Sequence, residues 1–339
     1  MIPTKVMSEN NQNKVRFYLD QNVIDYLIKG NLDTVQELIN KTQNSEIIYS
    51  YVTLREFARI EDVLQRKLYL DYLKRVKAKY LSIDKNESPH FEEVDPFEIF
   101  NKNSSNNNVY KDIEDSNLAM MHKLYGGKKD TSFDEIATSQ KNSFSHLMEY
   151  LNKTLDSLDE HPAINKELLK EIFQYANTNY AESVDKTTQL IKNSNYNYEN
   201  FLNDLRKLCD IKVDKLNEIE PPHVIDQIWN IIKDEIKNKN IDIAYNDLFG
   251  DGLYKFFPNQ KITMTSKVNG LYNLLNNIGY YPDKKIHNDK KFIPFINDHQ
   301  HVGYAIYSDF FVTRDKRLMK KAEAVYEHLK IGTRIYFIE

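Results

Sequence analysis

The chain has little of what membrane-spanning, secreted and disulfide-bonded proteins depend on. Its 339 residues include a single cysteine, Cys209, which excludes an internal disulfide and a multi-cysteine metal site. No apolar run approaches the roughly 18–20 residues that would span a bilayer. Residues 1–14 are polar and lack the apolar core of a signal peptide. These absences predict a cytoplasmic protein with no membrane partner.

An excess of positive charge is also missing. Lys and Arg total 46 and Asp and Glu total 50, so the net charge is −4. This balance is not typical of a generic nucleic-acid-binding protein, although metal-bound acids and local basic patches can still hold phosphates. The chain also lacks a Walker-type Gly-Lys-Ser/Thr loop, a GxGxxG loop and a GxSxG elbow. The sequence therefore does not indicate a binding site for nucleoside triphosphates or dinucleotides, or a nucleophile elbow.

Alternating strand-like and helical patterns are present at both ends of the chain. Short apolar runs predict strands, and the amphipathic stretches between them predict helices. The predicted strands span residues 15–19, 47–51, 310–312 and 334–338. The predicted helices span residues 22–29, 32–39, about 53–80 with room for a break, about 298–307 and 316–329. Neither end can bury both faces of its strands alone, so together they predict one four-stranded α/β sheet with helices on both faces.

The middle of the chain has a different pattern. Residues 101–108, NKNSSNNN, predict a polar low-complexity loop. From residue 111 to 277 the pattern is mostly helical, with Ile225, Ile228, Ile232 and Ile236 on one apolar helix face. The sequence thus predicts an α/β core split into residues 1–85 and 286–339 by a mainly helical insertion over residues 86–285.

Four acidic residues lie where strand-like runs give way to helical patterns, or where a helix is expected to begin. They are Asp20, Glu56, Asp298 and Asp315. Because the carboxyl ends of parallel strands meet at one edge of a sheet, these remote residues are expected to converge. A pocket of four carboxylates suits a hard divalent cation such as Mg²⁺ or Mn²⁺.

Each acid also has a simpler structural explanation. The TLRE sequence at residues 53–56 is a capping-box pattern in which Glu56 would bond to the Thr53 amide. The three aspartates each stand where a helix N-cap is wanted. His299 and His301 lie close to Asp298 in the sequence. Alternate residues at a helix start point to different faces, which argues against a histidine metal site.

Three segments that contain these acids together resemble the PIN-domain nucleases. The segments are residues 17–24 (FYLDQNVI), 51–57 (YVTLREF) and 298–315 (DHQHVGYAIYSDFFVTRD). The order and spacing of the acids are similar to the motifs of that family. The resemblance covers residues 15–80 and 287–339, and departs from the family in its long connection between Glu56 and Asp298 and in Gln21, where a small hydroxyl residue is common.

The resemblance implies a PIN-like parallel sheet sandwiched by helices and a metal-dependent endoribonuclease. By it, Asp20, Glu56, Asp298 and Asp315 would be catalytic and would bind Mg²⁺ or Mn²⁺. The same resemblance implies that Asn22 and Thr313 support the carboxylates, with Asp309 as an accessory acid or a surface residue. Arg314 and Lys316, which flank Asp315, are candidate contacts to the substrate backbone; the alternative is that they are ordinary solvated charges.

Single-stranded RNA is the expected substrate, because no duplex-binding motif is present. Two alternatives stay open: a catalytically silent interaction scaffold, and a nuclease that acts on DNA. By analogy, stand-alone PIN proteins are often toxins or antiviral defence effectors, and the insertion is a candidate surface for a homo-oligomer or a regulatory protein partner. The absence of an Arg-x4–6-His motif argues against the other common helical toxin ribonucleases.

Overall fold

A computed structural model of the chain describes most of its residues. The described residues are 14–30, 37, 39, 42–105, 108–159, 165–208, 213–240, 242–250 and 262–339. Cys209 and most of the predicted helix over residues 32–39 lie outside them.

Six strands and fourteen helices form within the described residues. The strands are β1 (Val15–Leu19), β2 (Ser45–Ser50), β3 (Lys79–Ile83), β4 (Pro89–Glu92), β5 (Phe310–Thr313) and β6 (Arg334–Phe337). The helices are α1 (Gln21–Ile28), α2 (Tyr51–Ala58), α3 (Val63–Arg75), α4 (Pro96–Ser105), α5 (Asn108–Leu124), α6 (Phe133–Ser157), α7 (Lys166–Asn193), α8 (Tyr198–Leu208), α9 (Val213–Leu216), α10 (Val224–Asn238), α11 (Tyr245–Phe249), α12 (Met264–Ile278), α13 (Asp289–Ala305) and α14 (Lys316–His328). No helix in this described part is long and apolar enough to span a membrane.

The strands form one sheet in the order β4-β3-β2-β1-β5-β6. All neighbours are parallel except β3 and β4. The chain moves outward in one direction from β1 to β3 and in the other direction from β5 to β6. The order therefore reverses between β1 and β5, and ligands of open α/β sheets bind at the carboxyl ends of strands at such a point. The predicted α/β class with a mostly parallel sheet is confirmed.

Alternate residues of β1 pack on opposite faces of the sheet, as the two-residue repeat of a strand requires. Phe17 and Leu19 join a buried cluster with Val23 of α1 and with Leu70 and Leu73 of α3. Each of these side chains is almost completely buried, so this face carries much of the hydrophobic stabilisation of the sheet.

Tyr18 lies between those two residues and points to the other face. It is buried there against Phe311 of β5 and His301 of α13, with ring centroids 5.9 and 5.6 Å away. The hydroxyl of Tyr326, on α14, donates to the Val302 carbonyl at 2.6 Å and ties the two helices together on this face. The helix α13 is thereby held over the end of β1.

The predicted number of strands was wrong. The sheet has six strands instead of four, and the helical region predicted over about residues 53–80 is two helices followed by β3, which was missed. The first helix ends at Ala58, and the Asp62 carboxylate caps the second by accepting from the Leu64 and Gln65 amides. Lys77 then adopts a positive φ of 52°, which ends the helical path before β3.

The loop predicted over residues 101–108 was also wrong where the structure describes it. α4 continues through Ser105 and α5 begins at Asn108. At the start of α4, the Asp95 carboxylate accepts from the Phe97 amide at 2.9 Å. A well-capped start and a helical neighbour overrode the weak local preference of Asn and Ser for turns.

The chain divides into two compact units. The sheet unit comprises Met1–Phe100, Leu205–Asp283 and Phe295–Glu339, and the helical unit comprises Asn101–Asp204 and Lys284–Pro294. Residues 205–283 thus belong with the sheet, although they follow the helical unit in sequence. The division at residues 85 and 285 stays a prediction about domain organisation. All site residues discussed below belong to the sheet unit.

Candidate metal centre

Asp20 lies directly after β1, at the point where the strand order reverses. It is 1% exposed, and its backbone N–H donates to the Val312 carbonyl of β5 at 3.0 Å. The Thr313 hydroxyl donates to Asp20 Oδ2 at 2.9 Å, and the Asn22 amide donates to the same oxygen at 3.3 Å. Asp20 stands at the N-cap position of α1, yet its side chain makes no capping hydrogen bond. The two polar neighbours instead orient the carboxylate, and neither uses Oδ1.

Glu56 projects from α2 and makes no capping box. The helix is capped by the Ser50 side chain, which accepts from the Val52 amide, and Thr53 accepts from the Ser50 amide. The capping interpretation of Glu56 was therefore wrong. Its Oε1 accepts from the Asn297 amide at 3.1 Å, and its Oε2 lies 2.8 Å from His301 Nε2.

His301 is the residue whose importance the sequence did not reveal. It is fully buried, with Nε2 bonded to Glu56 and Nδ1 2.7 Å from the Tyr18 hydroxyl. The same hydroxyl is 2.7 Å from Ser50 Oγ. A continuous hydrogen-bonded chain therefore runs from the end of β2 through Tyr18 and His301 to Glu56.

The role of His301 was missed because α13 begins earlier in the chain than predicted. This helix begins at Asp289 instead of Asp298, with the Asn288 side chain accepting from the Lys290 amide at 2.9 Å. Asn297 and His301 are therefore four residues apart within a helix and share one face, which contacts Glu56. A helix pattern extended back to residue 289 would have revealed this pair.

His299 points to a different face of α13, as its spacing from His301 predicts. Its Nε2 lies 2.6 Å from the Asn269 carbonyl of α12. Burial lowers the pKa of His299 to about 4, so this ring stays neutral and ties the two helices together. The two histidines do not share a metal site.

Asp20, Glu56 and His301 converge tightly. One potential ligand atom from each lies within 4.8 Å of the other two. Burial lowers the pKa of His301, but the carboxylates of Glu56 and Asp20 outweigh this effect and raise it above its usual value. Burial and the charge of Glu56 raise the pKa of Asp20, against the opposing effect of His301. Asp20 is thus a buried carboxylate whose negative charge a cation would stabilise.

Asp298 and Asp315 lie outside this close group of three but interact with it electrostatically. Asp298 is half-buried on α13, three residues before His301. Burial and the charges of Asp20, Asp283, Asp315 and Glu56 raise the pKa of Asp298 well above its usual range. The charges of the other three predicted acids therefore all act on Asp298.

Asp315 also has the capping role that the sequence suggested. Its Oδ1 accepts from the Arg317 and Leu318 amides at 2.7 and 2.9 Å, at the start of α14. Its own amide donates to Thr313 Oγ1 at 3.0 Å. Thr313 thus connects Asp315 to Asp20 through one hydroxyl.

Three other predicted residues lie outside the close group. Asp309 precedes β5 at the amino edge of the sheet, where its Oδ2 accepts from the Arg16 amide at 2.8 Å. It is exposed and lies at the opposite end of the strand from Thr313, which favours the surface-residue alternative over an accessory acid. Arg314 is exposed and stacks 4.3 Å above the ring centroid of Tyr26, while Lys316 is exposed.

A buried ion pair, which the sequence also did not reveal, lies beside Asp298. Lys321 of α14 is fully buried, and its Nζ is 2.5 Å from Asp283 Oδ2 and 3.2 Å from Asn276 Oδ1. Burial lowers the pKa of Lys321, while Asp283, Asp298 and Asp315 oppose that effect. Lys321 therefore supplies one positive charge beside Asp283 and near Asp298.

Comparison with protein-family models, with curated proteins and with solved structures gave no match. The sheet and its acidic edge define the chain as an α/β protein with a mostly parallel sheet. The resemblance to PIN domains rests on the sequence motifs alone.

The donor set fits a divalent cation. Carboxylate oxygens are the preferred ligands of Mg²⁺ and Mn²⁺. Asp20, Glu56 and His301 are the residues that could hold the ion, because one potential ligand atom from each lies within 4.8 Å of the other two. A cation here would offset the burial and the mutual repulsion that raise the pKa of Asp20 and Asp298.

Proposed function

We propose that this protein is a PIN-like, metal-dependent endonuclease that cleaves single-stranded RNA. The observation that supports it most is the convergence of Asp20, Glu56 and His301 within 4.8 Å at the carboxyl edge of the sheet. Asp298 and Asp315 act on the same site through their charges. The order of these acids along the chain and the PIN-like motifs around them point to phosphodiester hydrolysis.

When bound, Mg²⁺ or Mn²⁺ would neutralise phosphate charge and activate a water for attack. The residues of the chain have distinct parts in this proposal. Asp20 is held by Thr313 and Asn22 so that its carboxylate points into the site. Without a cation, the acids would repel a phosphate, so they act as a phosphate receptor only through the ion.

Glu56 and His301 form the proton-holding part of the site. Glu56 Oε2 accepts from His301 Nε2, and the Tyr18 hydroxyl holds the other ring nitrogen. In this proposal Glu56 also accepts a proton from the attacking water, and its bonds to His301 and Asn297 position the carboxylate.

The proposal is tested with purified protein and labelled single-stranded RNA and DNA of the same sequence. We expect cleavage of the RNA with Mn²⁺ or Mg²⁺ and none in EDTA. Asp20→Asn should abolish cleavage, whereas Asp71→Asn, at an exposed acid on α3, should leave it unchanged. Cleavage that persists in EDTA would refute the metal mechanism.

The two alternatives give different results in the same experiment. A DNA nuclease would digest the DNA strand in preference to the RNA. An interaction scaffold would cleave neither, and calorimetric titration with Mn²⁺ would show no binding that depends on Asp20.

A further inference from the structure

Two atoms of the close group have the spacing of neighbouring metal ligands. His301 Nε2 and Glu56 Oε2 lie 2.8 Å apart. Two ligands that bind one octahedral ion side by side, each about 2.1 Å from it, are roughly 3 Å apart. Asp20 contributes a third atom within 4.8 Å of both. The backbones of α2 and α13 therefore already hold the imidazole and the carboxylate where one cation can bind both.

Asp20 offers this group a carboxylate oxygen that no protein group uses. Asp20 is 1% exposed, and the hydrogen bonds from Thr313 and Asn22 both go to Oδ2. Oδ1 is thus left without a hydrogen bond among the described residues. A buried polar atom normally has a partner, because desolvation without one is costly. The Glu56 side chain is 10% exposed, so the group is open to solvent on that side.

The second ring nitrogen of His301 decides whether Nε2 can bind a cation. A neutral imidazole carries a proton on one nitrogen and a lone pair on the other. Nδ1 lies 2.7 Å from the Tyr18 hydroxyl, which in turn lies 2.7 Å from Ser50 Oγ. With the proton on Nδ1, this N–H donates to Tyr18, and Tyr18 donates to Ser50. The lone pair is then on Nε2, at the side of Glu56 and Asp20.

The same chain of hydrogen bonds also supports the other tautomer. With the proton on Nε2, that nitrogen donates to Glu56, and Tyr18 donates to Nδ1. The two arrangements hold the same number of protons, so a cation at Nε2 requires no change in the charge of the ring. A histidine that binds a metal normally donates its other N–H to a fixed acceptor. Tyr18, fully buried on β1, provides that acceptor.

We propose that His301 binds the metal ion directly through Nε2, with Tyr18 holding the ligating tautomer, and that the site therefore selects a divalent transition-metal ion such as Mn²⁺ over Mg²⁺. Imidazole nitrogen is a common ligand of transition metals, whereas Mg²⁺ prefers oxygen ligands and keeps several waters. This inference rests on the metal-dependent part of the proposed function and decides between its two ions. It adds a nitrogen ligand that is not among the four acids of the sequence motifs.

Pulsed electron paramagnetic resonance of the Mn²⁺-loaded wild-type protein tests the ligation directly. The spectrum should show coupling between the Mn²⁺ electron spin and an imidazole ¹⁴N nucleus, and His301→Gln should lose this coupling. His299→Gln is the matched control, because His299 is a buried histidine of the same helix whose Nε2 contacts the Asn269 carbonyl instead. This control should keep the coupling. The wild-type spectrum is informative even if His301→Gln does not fold.

Calorimetric titration with Mn²⁺ and with Mg²⁺ tests the selectivity. The wild type should bind Mn²⁺ more tightly than Mg²⁺. His301→Gln should weaken Mn²⁺ binding about 10- to 100-fold and Mg²⁺ binding much less, because glutamine still offers an oxygen. Tyr18→Phe should weaken Mn²⁺ binding about 10-fold through loss of the acceptor for Nδ1. Tyr49→Phe, at a buried ring on the other face of the sheet with Phe17, should leave it unchanged.

The possible results separate this inference from the proposed function. Bound Mn²⁺ without nitrogen coupling in the wild type would overturn the inference and leave the nuclease proposal standing. An equal loss of Mn²⁺ and Mg²⁺ affinity in His301→Gln would also overturn it, because the ring would then act only by positioning Glu56. Nitrogen coupling in a protein that cleaves no RNA would uphold the inference while the proposed function fails. A wild type that binds no Mn²⁺ would overturn both.

Discussion

Replacing Asp283 by asparagine should strongly destabilise the protein, because it leaves the buried Lys321 ammonium without its partner carboxylate. Lys321 is 0% exposed, and the Asp283 side chain is 16% exposed. The remaining neighbours of the ammonium are Asn276 Oδ1 at 3.2 Å and the face of the Tyr272 ring. Breaking a buried ion pair from one side typically costs about 3–5 kcal/mol.

The structure also sets an upper limit on this cost. Lys321 can lose its proton instead of staying charged and unpaired. With an ordinary lysine pKa of 10.5, neutralising it at pH 7 costs about 5 kcal/mol, at about 1.36 kcal/mol per pH unit. At pH 9 the same step costs about 2 kcal/mol. The penalty of Asp283→Asn is therefore expected at about 3–5 kcal/mol at pH 7 and at most about 2 kcal/mol at pH 9.

Urea denaturation at the two pH values measures this penalty. The single tryptophan, Trp229, packs against Tyr245 and Phe249 within the sheet unit and provides the fluorescence signal. Glu220→Gln is the matched control, because it removes the partner of the neighbouring Lys320 from a pair whose carboxylate is exposed, and it should cost less than about 1 kcal/mol. A penalty below about 1 kcal/mol at pH 7 for Asp283→Asn, or one that does not change with pH, would refute the reasoning.

Three further predictions concern other parts of the sheet unit. Thr313→Val removes the hydroxyl that orients Asp20 and should weaken Mn²⁺ binding about 10- to 100-fold by calorimetry, whereas Thr313→Ser should retain it. Partial burial acts to raise the pKa of Asp25, but hydrogen bonds from Lys29 and Tyr69 outweigh it and lower this pKa. The contribution of Asp25 to stability is therefore present above pH 3.8 and is lost as the pH falls through the folded-state pKa. Urea denaturation should accordingly show a smaller loss of stability on acidification for Asp25→Asn than for the wild type. Ile228→Ala, at a fully buried position of α10, should destabilise by about 2–5 kcal/mol in the same assay, and a loss below about 1 kcal/mol would contradict its place in the core.

The local patterns of the chain predicted much of the sheet. The four strands expected near both termini correspond to β1, β2, β5 and β6, with limits that differ by at most two residues. They could be predicted because short apolar runs between helical patterns depend on neighbours in sequence. β3 and β4 were missed because they lie at one side of the sheet. There, only the pairing of β3 with β2 and with β4 distinguishes these two segments from a loop or a helix.

Asp20 and its supports could also be predicted from sequence. Asp20 follows a strand directly, and Asn22 and Thr313 lie within three residues of a strand end. Parallel strands bring such positions together at one edge. Asp309 shows the limit of that argument, because it lies next to β5, as Thr313 does, but at the amino end of the strand.

The sequence by itself determined the class of fold and the edge of the sheet at which the acids meet, since both follow from patterns within a few residues of each strand. Only the tertiary structure decided which side chains complete the site. His301 reaches Glu56 and Asp283 pairs with Lys321, although these partners are separated by tens to hundreds of positions. Such contacts depend on how α12, α13 and α14 pack over one face of the sheet, and no local spacing in the chain specifies that packing.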